Sequence, residues 1–224
     1  MTDNKLQIYS TQTFGCTGKV SLPTADAIAN IALDPKGNDV FVVCTVSGGI
    51  FEVDVPSGKV VKQSFIPLTP KGWDQFLLSI QNFVYPSRRQ FFLTAFVEGH
   101  TVRPTLFSVR ETPEIPFYLE KICVDIVNNL HSIAIGAGGE MLVAIQENAL
   151  YARDVTAKQA KKHLYGDRNL TCVAAHPTDW LCATGDDTGR IILWSNATIH
   201  NVPAKTVFHW HTLPVADLSF TIDG

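Results

Sequence analysis

The sequence lacks the features that mark membrane, secreted and strongly nucleic-acid-binding proteins. Its 224 residues contain no run of about 18 apolar residues, so no transmembrane helix is predicted. The N-terminal stretch MTDNKLQIYS has no apolar centre, which argues against a secretory signal. The formal net charge is only −3, whereas a self-sufficient nucleic-acid binder usually carries a basic patch. These absences leave a soluble globular chain as the prediction.

Paired cysteines are also missing. The five cysteines are an odd number, and no two of them stand in a C-x-x-C arrangement. Cys44 and Cys172 lie among apolar neighbours, in VVCTV and LTCVA, which is typical of buried reduced thiols. Reduced thiols indicate a cytosolic or nuclear compartment.

Sustained helical periodicity is nearly absent, and short strand patterns take its place. Segments such as VFVVCTV, GIFEVDV, MLVAIQ and RIILW are β-branched or aromatic, and Gly, Pro, Asp or Asn bound most of them. The stretch TAKQAKKHL (156–164) is compatible with one or two helical turns but falls where a loop is expected. Its Lys158, Lys161 and Lys162 are predicted to lie on a solvated loop. The fold class is therefore predicted to be all-β.

The chain repeats itself. One pattern recurs along the chain: spaced apolar residues, a turn containing Pro, Gly or Asp, an apolar strand, a small-residue turn and a further strand. It occurs in 28–55, 130–155 and 170–194, is cut short in 215–224, and is weaker in 77–96. The apolar positions that align are Ile31, Ile80, Ile133, Val173 and Leu218. A drifting period of about 40–45 residues with four strands per repeat is the signature of a WD-repeat β-propeller.

Residues 183–194, ATGDDTGRIILW, raise the question of whether two adjacent aspartates form an acidic site or a turn. The stretch resembles the WD-repeat pattern position by position, with Asp187 and Gly189 in the turn and Trp194 ending the next strand. Gly189 supplies the positive φ that such a turn needs, and Asp187 is predicted to accept hydrogen bonds from turn amides. In HWHTLPVADLSF, His211 takes the position of the repeat's buried histidine. These residues are predicted to serve the fold.

No catalytic, metal or cofactor site is predicted elsewhere. His209 and His211 alternate on one strand, but no third ligand has a matching spacing. His176 precedes a proline and is predicted to lie at the surface or to cap a turn. No G-x-S-x-G elbow occurs, and GAGGE (136–140) lacks the Lys-Ser/Thr of a phosphate loop, so it is interpreted as a hairpin turn. No small-molecule substrate is expected.

The repeats predict an incomplete propeller of about four near-complete four-stranded blades with partial blades at both ends. The blade boundaries are predicted as follows: a partial blade at 1–27, blades at about 28–68, 76–120, 130–165 and 170–211, and the start of another at 214–224. LQIYS and GKVSL are interpreted as third and fourth strands of the first partial blade, and VADLSF as the first strand of the last one. The middle, 61–129, is the most divergent part. The sequence is thus expected to be a fragment, a truncated gene model or a short isoform.

Two stretches narrow the family. NLTCVAAHPTDWLCATGDDTGRIILW (169–194) and KTVFHWHTLPVADLSFTIDG (205–224) resemble the signature region of the nucleolar WD-repeat protein 75 family, a component of the small-subunit processome. The resemblance implies a non-enzymatic scaffold in the nucleolus that supports pre-rRNA transcription and early processing of small-subunit rRNA. It implies WD-repeat and helical-repeat processome proteins as partners, pre-rRNA nearby, no membrane and no cofactor. The alternative is a WD-repeat adaptor in another complex, such as a ubiquitin ligase or a chromatin complex.

Overall fold

A computed structural model confirms the all-β fold class. The structure describes residues 5–33, 39–67, 77–87, 90–110, 117–157, 160–199, 202–210 and 212–221. Within these ranges there are strands β1 to β18, and the one helical element is a 3₁₀ turn at Ala137–Gly139. That turn joins two strands at GAGGE, which agrees with its interpretation as a hairpin turn.

The strands form four antiparallel sheets of four strands and one sheet of two strands. The two-stranded sheet consists of β1 (Lys5–Tyr9) and β2 (Cys16–Ser21). Sheet I consists of β3 (Ile28–Leu33), β4 (Val40–Thr45), β5 (Gly49–Asp54) and β6 (Lys59–Phe65). Sheet II consists of β7 (Leu77–Ser87), β8 (Gln90–Val97), β9 (His100–Arg110) and β10 (Tyr118–Cys123). Sheet III consists of β11 (Ile133–Gly136), β12 (Met141–Gln146), β13 (Ala149–Asp154) and β14 (Lys161–Leu164). Sheet IV consists of β15 (Leu170–Ala175), β16 (Leu181–Asp186), β17 (Arg190–Ser195) and β18 (Ala204–His209).

Each sheet is a simple meander whose strands pair in chain order. The central strands are rich in Val, Ile and aromatic residues and are buried on both faces, as in VFVVCT of β4 and QFFLTAFV of β8. Tight turns join them because glycine adopts a left-handed backbone there. Gly48, at φ 93°, precedes β5, and Gly189, at φ 86°, precedes β17.

The sheets stack face to face in chain order, with one apolar core at each junction. The first strands of successive sheets, β3, β7, β11 and β15, contact one another. The core between the two-stranded sheet and sheet I includes Val20 and Phe51, and the core between sheets I and II includes Cys44 and Phe83. The core between sheets II and III includes Phe92 and Leu142, and the core between sheets III and IV includes Val143 and Trp194. This radial stacking of four-stranded sheets is the architecture of a propeller.

A row of side-chain hydrogen bonds joins the first strands of the sheets, the segment that precedes β11, and the segment that begins at Val215. The Asn30 amide donates to Oδ1 of Asn82 (2.6 Å), and the Asn82 amide donates to the carbonyl of Leu130 (2.8 Å). The Asn129 amide donates to the carbonyl of Thr171 (2.5 Å), and the Thr171 hydroxyl donates to the carbonyl of Val215 (2.6 Å). Each bond satisfies a backbone acceptor or an amide that sheet pairing alone leaves open.

Two expectations about local structure are wrong. Residues 161–164 are not a loop or a helical turn, because KKHL alternates and buries His163, whose Nε2 lies 2.6 Å from the carbonyl oxygen of Ala197. Lys161 and Lys162 therefore lie on a strand, where their ammonium groups donate to the Ile199 carbonyl (2.7 Å) and to Oε1 of Gln146 (2.9 Å). Lys158 lies outside the described residues.

Residues 215–220, predicted as a strand, form no strand and belong to no sheet within the described part of the chain. Isolated contacts hold this segment instead of a ladder. The Val215 N–H donates to the Asp186 carbonyl (3.1 Å), and Asp217 Oδ1 lies 2.9 Å from Nδ1 of His131. Pro214 has no N–H to donate, which removes one ladder bond at the start of the segment.

Candidate interaction surface

The turn between β16 and β17 is organised by Asp186, one residue before the predicted Asp187. Oδ1 of Asp186 accepts the backbone N–H groups of Thr188 (2.8 Å) and Arg190 (2.9 Å) and the Thr188 hydroxyl (2.9 Å). The predicted acceptor role of Asp187 in these turn bonds is therefore wrong. The last residue of a strand is placed to receive amides from the turn that folds back over it, and Asp186 holds that position.

Asp187 and Gly189 both lie in this turn. The Asp187 N–H donates to the carbonyl of Asn169 (3.0 Å), and Oδ2 of Asp187 accepts the Asn169 N–H at 3.4 Å. Asp187 thus ties the turn to the loop that leads into β15. Gly189 has the positive φ predicted for it.

Trp194 is buried at the junction of sheets III and IV. Its indole Nε1–H donates to the Thr184 hydroxyl (2.8 Å), and the Lys205 ammonium lies 4.5 Å from the ring centroid. The rings of Tyr165 and His163 lie 6.1 and 6.3 Å away. His211, the fourth predicted motif residue, lies outside the described residues. The side chains of this motif that are described serve packing and turn geometry.

A pH dependence follows from the Asp186 carboxylate. Burial acts to raise its pKa, but the bonds from Arg190 and Thr188 outweigh burial, so the pKa is lowered. A carboxyl whose folded-state pKa is lowered stabilises the fold above its unfolded pKa, and this contribution is lost as pH falls through the folded value. Asp186→Ala is expected to cost about 2 kcal/mol at pH 7, since hydrogen bonds to a charged group contribute about 1.5–3 kcal/mol.

The difference in unfolding free energy between wild type and Asp186→Ala should shrink below about pH 4, where the unfolded carboxyl begins to protonate. Urea unfolding at pH 7 and at pH 3 measures it, with Asp187→Ala as the matched control that leaves the turn acceptor in place. A difference that stays constant between the two pH values would contradict the assigned role.

The histidines show no shared metal geometry. Nδ1 of His176, which is buried, accepts the N–H of Asp179 (2.9 Å) and of Thr178 (3.3 Å), so His176 caps a turn. Nε2 of His209 lies 3.2 Å from the carbonyl of Thr188. No group of three His, Cys, Asp or Glu side chains within metal-binding reach occurs in the described ranges.

The cysteines differ sharply in exposure, which predicts their reactivity. Cys44, Cys172 and Cys182 are buried, Cys123 is half-buried and Cys16 is exposed. Burial raises the pKa of Cys123 and of Cys182 to about 12 and raises the pKa of Cys44 still further. Because the thiolate is the reactive form, one thiol should react rapidly with a disulfide reagent in native buffer.

The expected result is one fast thiol in the native protein and five in denaturant. Cys16→Ser should remove the fast phase and leave unfolding unchanged. A fast phase that persists in Cys16→Ser would show that the sheet junctions open readily. Absorbance of the released thiol measures both rates.

A surface cleft lies at the seam between sheets II and III, where β12 turns into β13. Two adjoining hollows of about 440 and 370 Å³ share Val102, Arg103 and Glu147. Nη2 of Arg103 lies 2.8 Å from Oε1 of Glu147, so an ion pair crosses the boundary between the hollows. The amide of Gln146 donates to the Val124 carbonyl (2.7 Å), which fixes one wall.

Both hollows combine apolar and polar groups suited to protein contact. Val102 is 87% exposed and stands beside the ion pair. One hollow adds Asp125 and Lys162, and the other adds Val127 and Leu170. Mixed polar and apolar lining of this kind is typical of protein interfaces and unlike an enclosed small-molecule site.

A second exposed surface follows β18, the outer strand of sheet IV. Every residue of Ala204–His209 is exposed. The rings of Phe208 and Trp210 lie 5.4 Å apart, and Trp210 is 78% exposed. Exposed aromatic pairs of this size are enriched at protein interfaces.

Two neighbouring aromatic residues at the start of β10 have different environments. Tyr118 is exposed, whereas Phe117 is buried against Phe91, with ring centroids 6.0 Å apart. Among the described residues, no helix has the length and apolar character needed to cross a bilayer.

Comparison with known proteins identifies relatives along nearly the whole chain. No protein-family model matches. The chain is 27% identical over 236 residues to "WD repeat-containing protein 75" of Mus musculus and 26% identical over 241 residues to the Homo sapiens protein of that name. Each match covers 98% of this chain. The chain is similar to WD repeat-containing protein 75 of two mammals over nearly its whole length. The resemblance to this family predicted from 169–224 is confirmed, and the chain spans 27% of the length of these two relatives.

Solved structures confirm the propeller fold. The β-propeller domain of Cps50 (Swd1) from Myceliophteria thermophila matches with a TM-score of 0.63 at 13% identity and covers 92% of this chain and 65% of that domain. The WD40 repeats of RRP9 match with a TM-score of 0.56 at 11% identity, covering 98% and 78%. At this identity the likeness concerns the fold alone. The fold and the relatives together support a WD-repeat scaffold.

Proposed function

We propose that this chain acts as a non-enzymatic scaffold in ribosome biogenesis, within the nucleolar small-subunit processome. The observation that carries the proposal is the similarity to WD repeat-containing protein 75 over 98% of the chain. The family resemblance of 169–194 and 205–224 implies support of pre-rRNA transcription and of early processing of small-subunit rRNA. WD-repeat and helical-repeat proteins of that assembly are the proposed partners, with pre-rRNA nearby.

A scaffold needs a rigid fold that holds its partner-binding surfaces in fixed positions. The sheet junctions of this chain are apolar and closely packed, so loops and outer strands keep fixed relative positions. The cleft around Arg103 and Glu147 offers charge and shape for orienting a partner, and the Phe208–Trp210 pair offers apolar area for affinity. An interface of standard size, about 800 Å² on each partner, is the expected scale.

The described polar side chains favour a structural role over catalysis. Asp186, His176 and Trp194 direct their polar atoms to turns and neighbouring side chains. Catalytic groups need a nucleophile, acid or base convergent on one accessible point. The proposal therefore assigns no reaction to the chain.

Localisation of the tagged protein and the level of early pre-rRNA distinguish this proposal from a general adaptor role. A tagged version of the protein that contains this chain is expected to concentrate in nucleoli, and its depletion should lower the level of early pre-rRNA. Val102→Glu combined with Glu147→Lys should reduce nucleolar retention while thermal unfolding stays within about 1 °C, because exposed sites contribute little to stability. A diffuse cytoplasmic signal with normal pre-rRNA would favour the adaptor and contradict the proposal.

A further inference from the structure

The outer edge of sheet IV is an open strand edge, formed by β18. This strand is the last of its sheet, and each of its six residues is exposed. The backbone N–H and C=O groups of β18 that point away from β17 therefore pair with no strand in the described part of the chain. An open edge of this kind can accept a further strand from another molecule.

The outer strands of the other four-stranded sheets carry more charge than β18. Strands β6 and β14 each contain two lysines, and β10 contains Glu120 beside Lys121. In sheets I and II, ion pairs balance the outer charges, with Lys62 at 3.4 Å from Glu52 and Arg110 at 3.7 Å from Glu120. Charged residues on an edge strand oppose pairing with another chain. Strand β18 has one lysine and an uncharged centre, TVF, so it is the least protected of these four edges.

One face of this edge is basic. Residues that pair across antiparallel strands share a face, and the register places Lys205 opposite Trp194 and His209 opposite Arg190. The Lys205 ammonium lies 4.5 Å from the Trp194 ring centroid and donates to the Leu164 carbonyl (3.3 Å). Because Leu164 belongs to β14, the basic face lies on the side of sheet III.

The opposite face of the edge is aromatic. Phe208 pairs with Ile191, and its ring lies 5.4 Å from the ring of Trp210. Successive residues of a strand point to opposite faces of the sheet. A strand added to β18 would therefore meet basic and aromatic groups at alternate positions.

No carboxylate offsets the basic face. Residues 188–216 contain no aspartate or glutamate, although acidic residues outnumber lysine and arginine in the whole chain. Among the described residues, no ion pair joins Arg190 or Lys205 to a carboxylate. Two copies of the chain paired through β18 about a two-fold axis would place their basic faces on the same side of the joined sheet. Like charges would then meet, so the edge is complementary to an acidic partner and not to a second copy.

We propose that β18 binds an extended acidic peptide of a partner protein, which pairs with the open edge as a fifth strand of sheet IV. Alternate side chains of the peptide are acidic and lie beside Lys205 and Arg190. The side chains between them are apolar and pack against Phe208 and Trp210. In strand addition, main-chain hydrogen bonds supply affinity and alternate side chains supply specificity. The inference rests on the proposed scaffold role, because it gives one surface of that scaffold a class of partner.

A fluorescently labelled synthetic peptide, EVEFEVE, tests the site by anisotropy. The peptide EEVFVEE has the same composition without the alternation, and KVKFKVK keeps the alternation with the opposite charge. Each of these controls should bind about tenfold more weakly than EVEFEVE, because several cross-strand pairs are lost at once. Equal affinities of EVEFEVE and EEVFVEE would overturn the proposal.

Backbone methylation of the peptide distinguishes strand pairing from side-chain contact alone. Only alternate N–H groups of an added strand face β18, since the others point to solvent. Two forms of EVEFEVE are compared, one N-methylated at the glutamates and the other at the valines and phenylalanine. One form should lose binding and the other keep it. Binding that survives in both forms, or in neither, would refute the added strand.

Charge reversal in the protein places the peptide on β18. Arg190→Glu combined with Lys205→Glu should weaken EVEFEVE about tenfold and make KVKFKVK the preferred peptide. Lys59→Glu, on the outer strand of sheet I, is the matched control and should leave both affinities unchanged. In the wild type, EVEFEVE should slow hydrogen exchange of the 204–209 amides, which locates the peptide without any variant. Unslowed exchange at 204–209 would contradict the site.

Analytical ultracentrifugation of the protein alone distinguishes a peptide partner from a second copy. A monomer is expected, and a dimer that EVEFEVE dissociates would assign the edge to self-association and overturn the proposal. Failure of these binding tests would leave the nucleolar scaffold proposal intact, because no processome protein takes part in them.

Discussion

Replacing Gly136 with valine is expected to destabilise the protein by about 3–5 kcal/mol, because overpacking at a rigid junction costs about 1–3 kcal/mol and lost hydrogen bonds add to it. A Cβ atom at Gly136 would lie 2.4 Å from the carbonyl oxygen of His176 and 2.7 Å from the Cβ of Ala175. The same junction of sheets III and IV carries the bond from the Ala137 N–H to the His176 carbonyl (2.9 Å). Neither backbone can yield without losing that bond.

Urea unfolding measures this cost against a strand glycine with room for a side chain. A Cβ at Gly18, in β2, would meet only Ile8 side-chain atoms at 3.5 Å or more. Gly18→Val should change the free energy of unfolding by about 1 kcal/mol or less, in the range of ordinary strand substitutions. Similar losses for Gly136→Val and Gly18→Val would show that sheets III and IV do not approach each other as closely as described.

Replacing Trp194 with alanine is expected to cost about 3–5 kcal/mol, the range for deleting a fully buried large aromatic side chain. The ring fills the junction of sheets III and IV and contacts the rings of Tyr165 and His163. Its removal also leaves the Thr184 hydroxyl without its indole partner. Denaturant titration followed by circular dichroism measures the loss.

The chain supplies a matched control in Trp210, which is exposed. Trp210→Ala should change the unfolding free energy by about 0.5 kcal/mol or less, as expected for a surface site. Trp194→Phe keeps most of the packing and should cost about 1–2 kcal/mol, since the Thr184 hydroxyl remains unpaired. A loss at Trp210 as large as that at Trp194 would contradict the burial on which the assignment depends.

Local signals in the sequence predicted the strands and turns well. Runs of β-branched residues predicted the central strands. The small and turn-forming residues before Ile191 predicted the turn that contains Gly189. Which aspartate holds that turn was not predictable, because Asp186 and Asp187 differ by one position and their roles depend on strand register. His163 was missed for a related reason, since KKHL is too short for its alternation to stand out.

The sequence contains no local pattern that predicts which side chains contact each other between sheets. Asn30, Asn82 and Asn129 each look like ordinary polar residues near a strand, and only the stacking of sheets shows that they bond across successive junctions. Arg153 follows Ala152 in an apolar strand, where nothing in the sequence indicates that its charge becomes buried. The cleft at Arg103 and Glu147 likewise joins residues far apart in the chain.

Affinity purification under native conditions tests most directly whether this protein works by presenting surfaces to a ribosome-assembly complex. The protein containing this chain, tagged and expressed at its natural level, should recover small-subunit processing proteins in near-stoichiometric amounts, and the Val102→Glu, Glu147→Lys double variant should recover fewer. Stoichiometric recovery of a ubiquitin ligase or a chromatin complex, unaffected by that variant, would contradict the account.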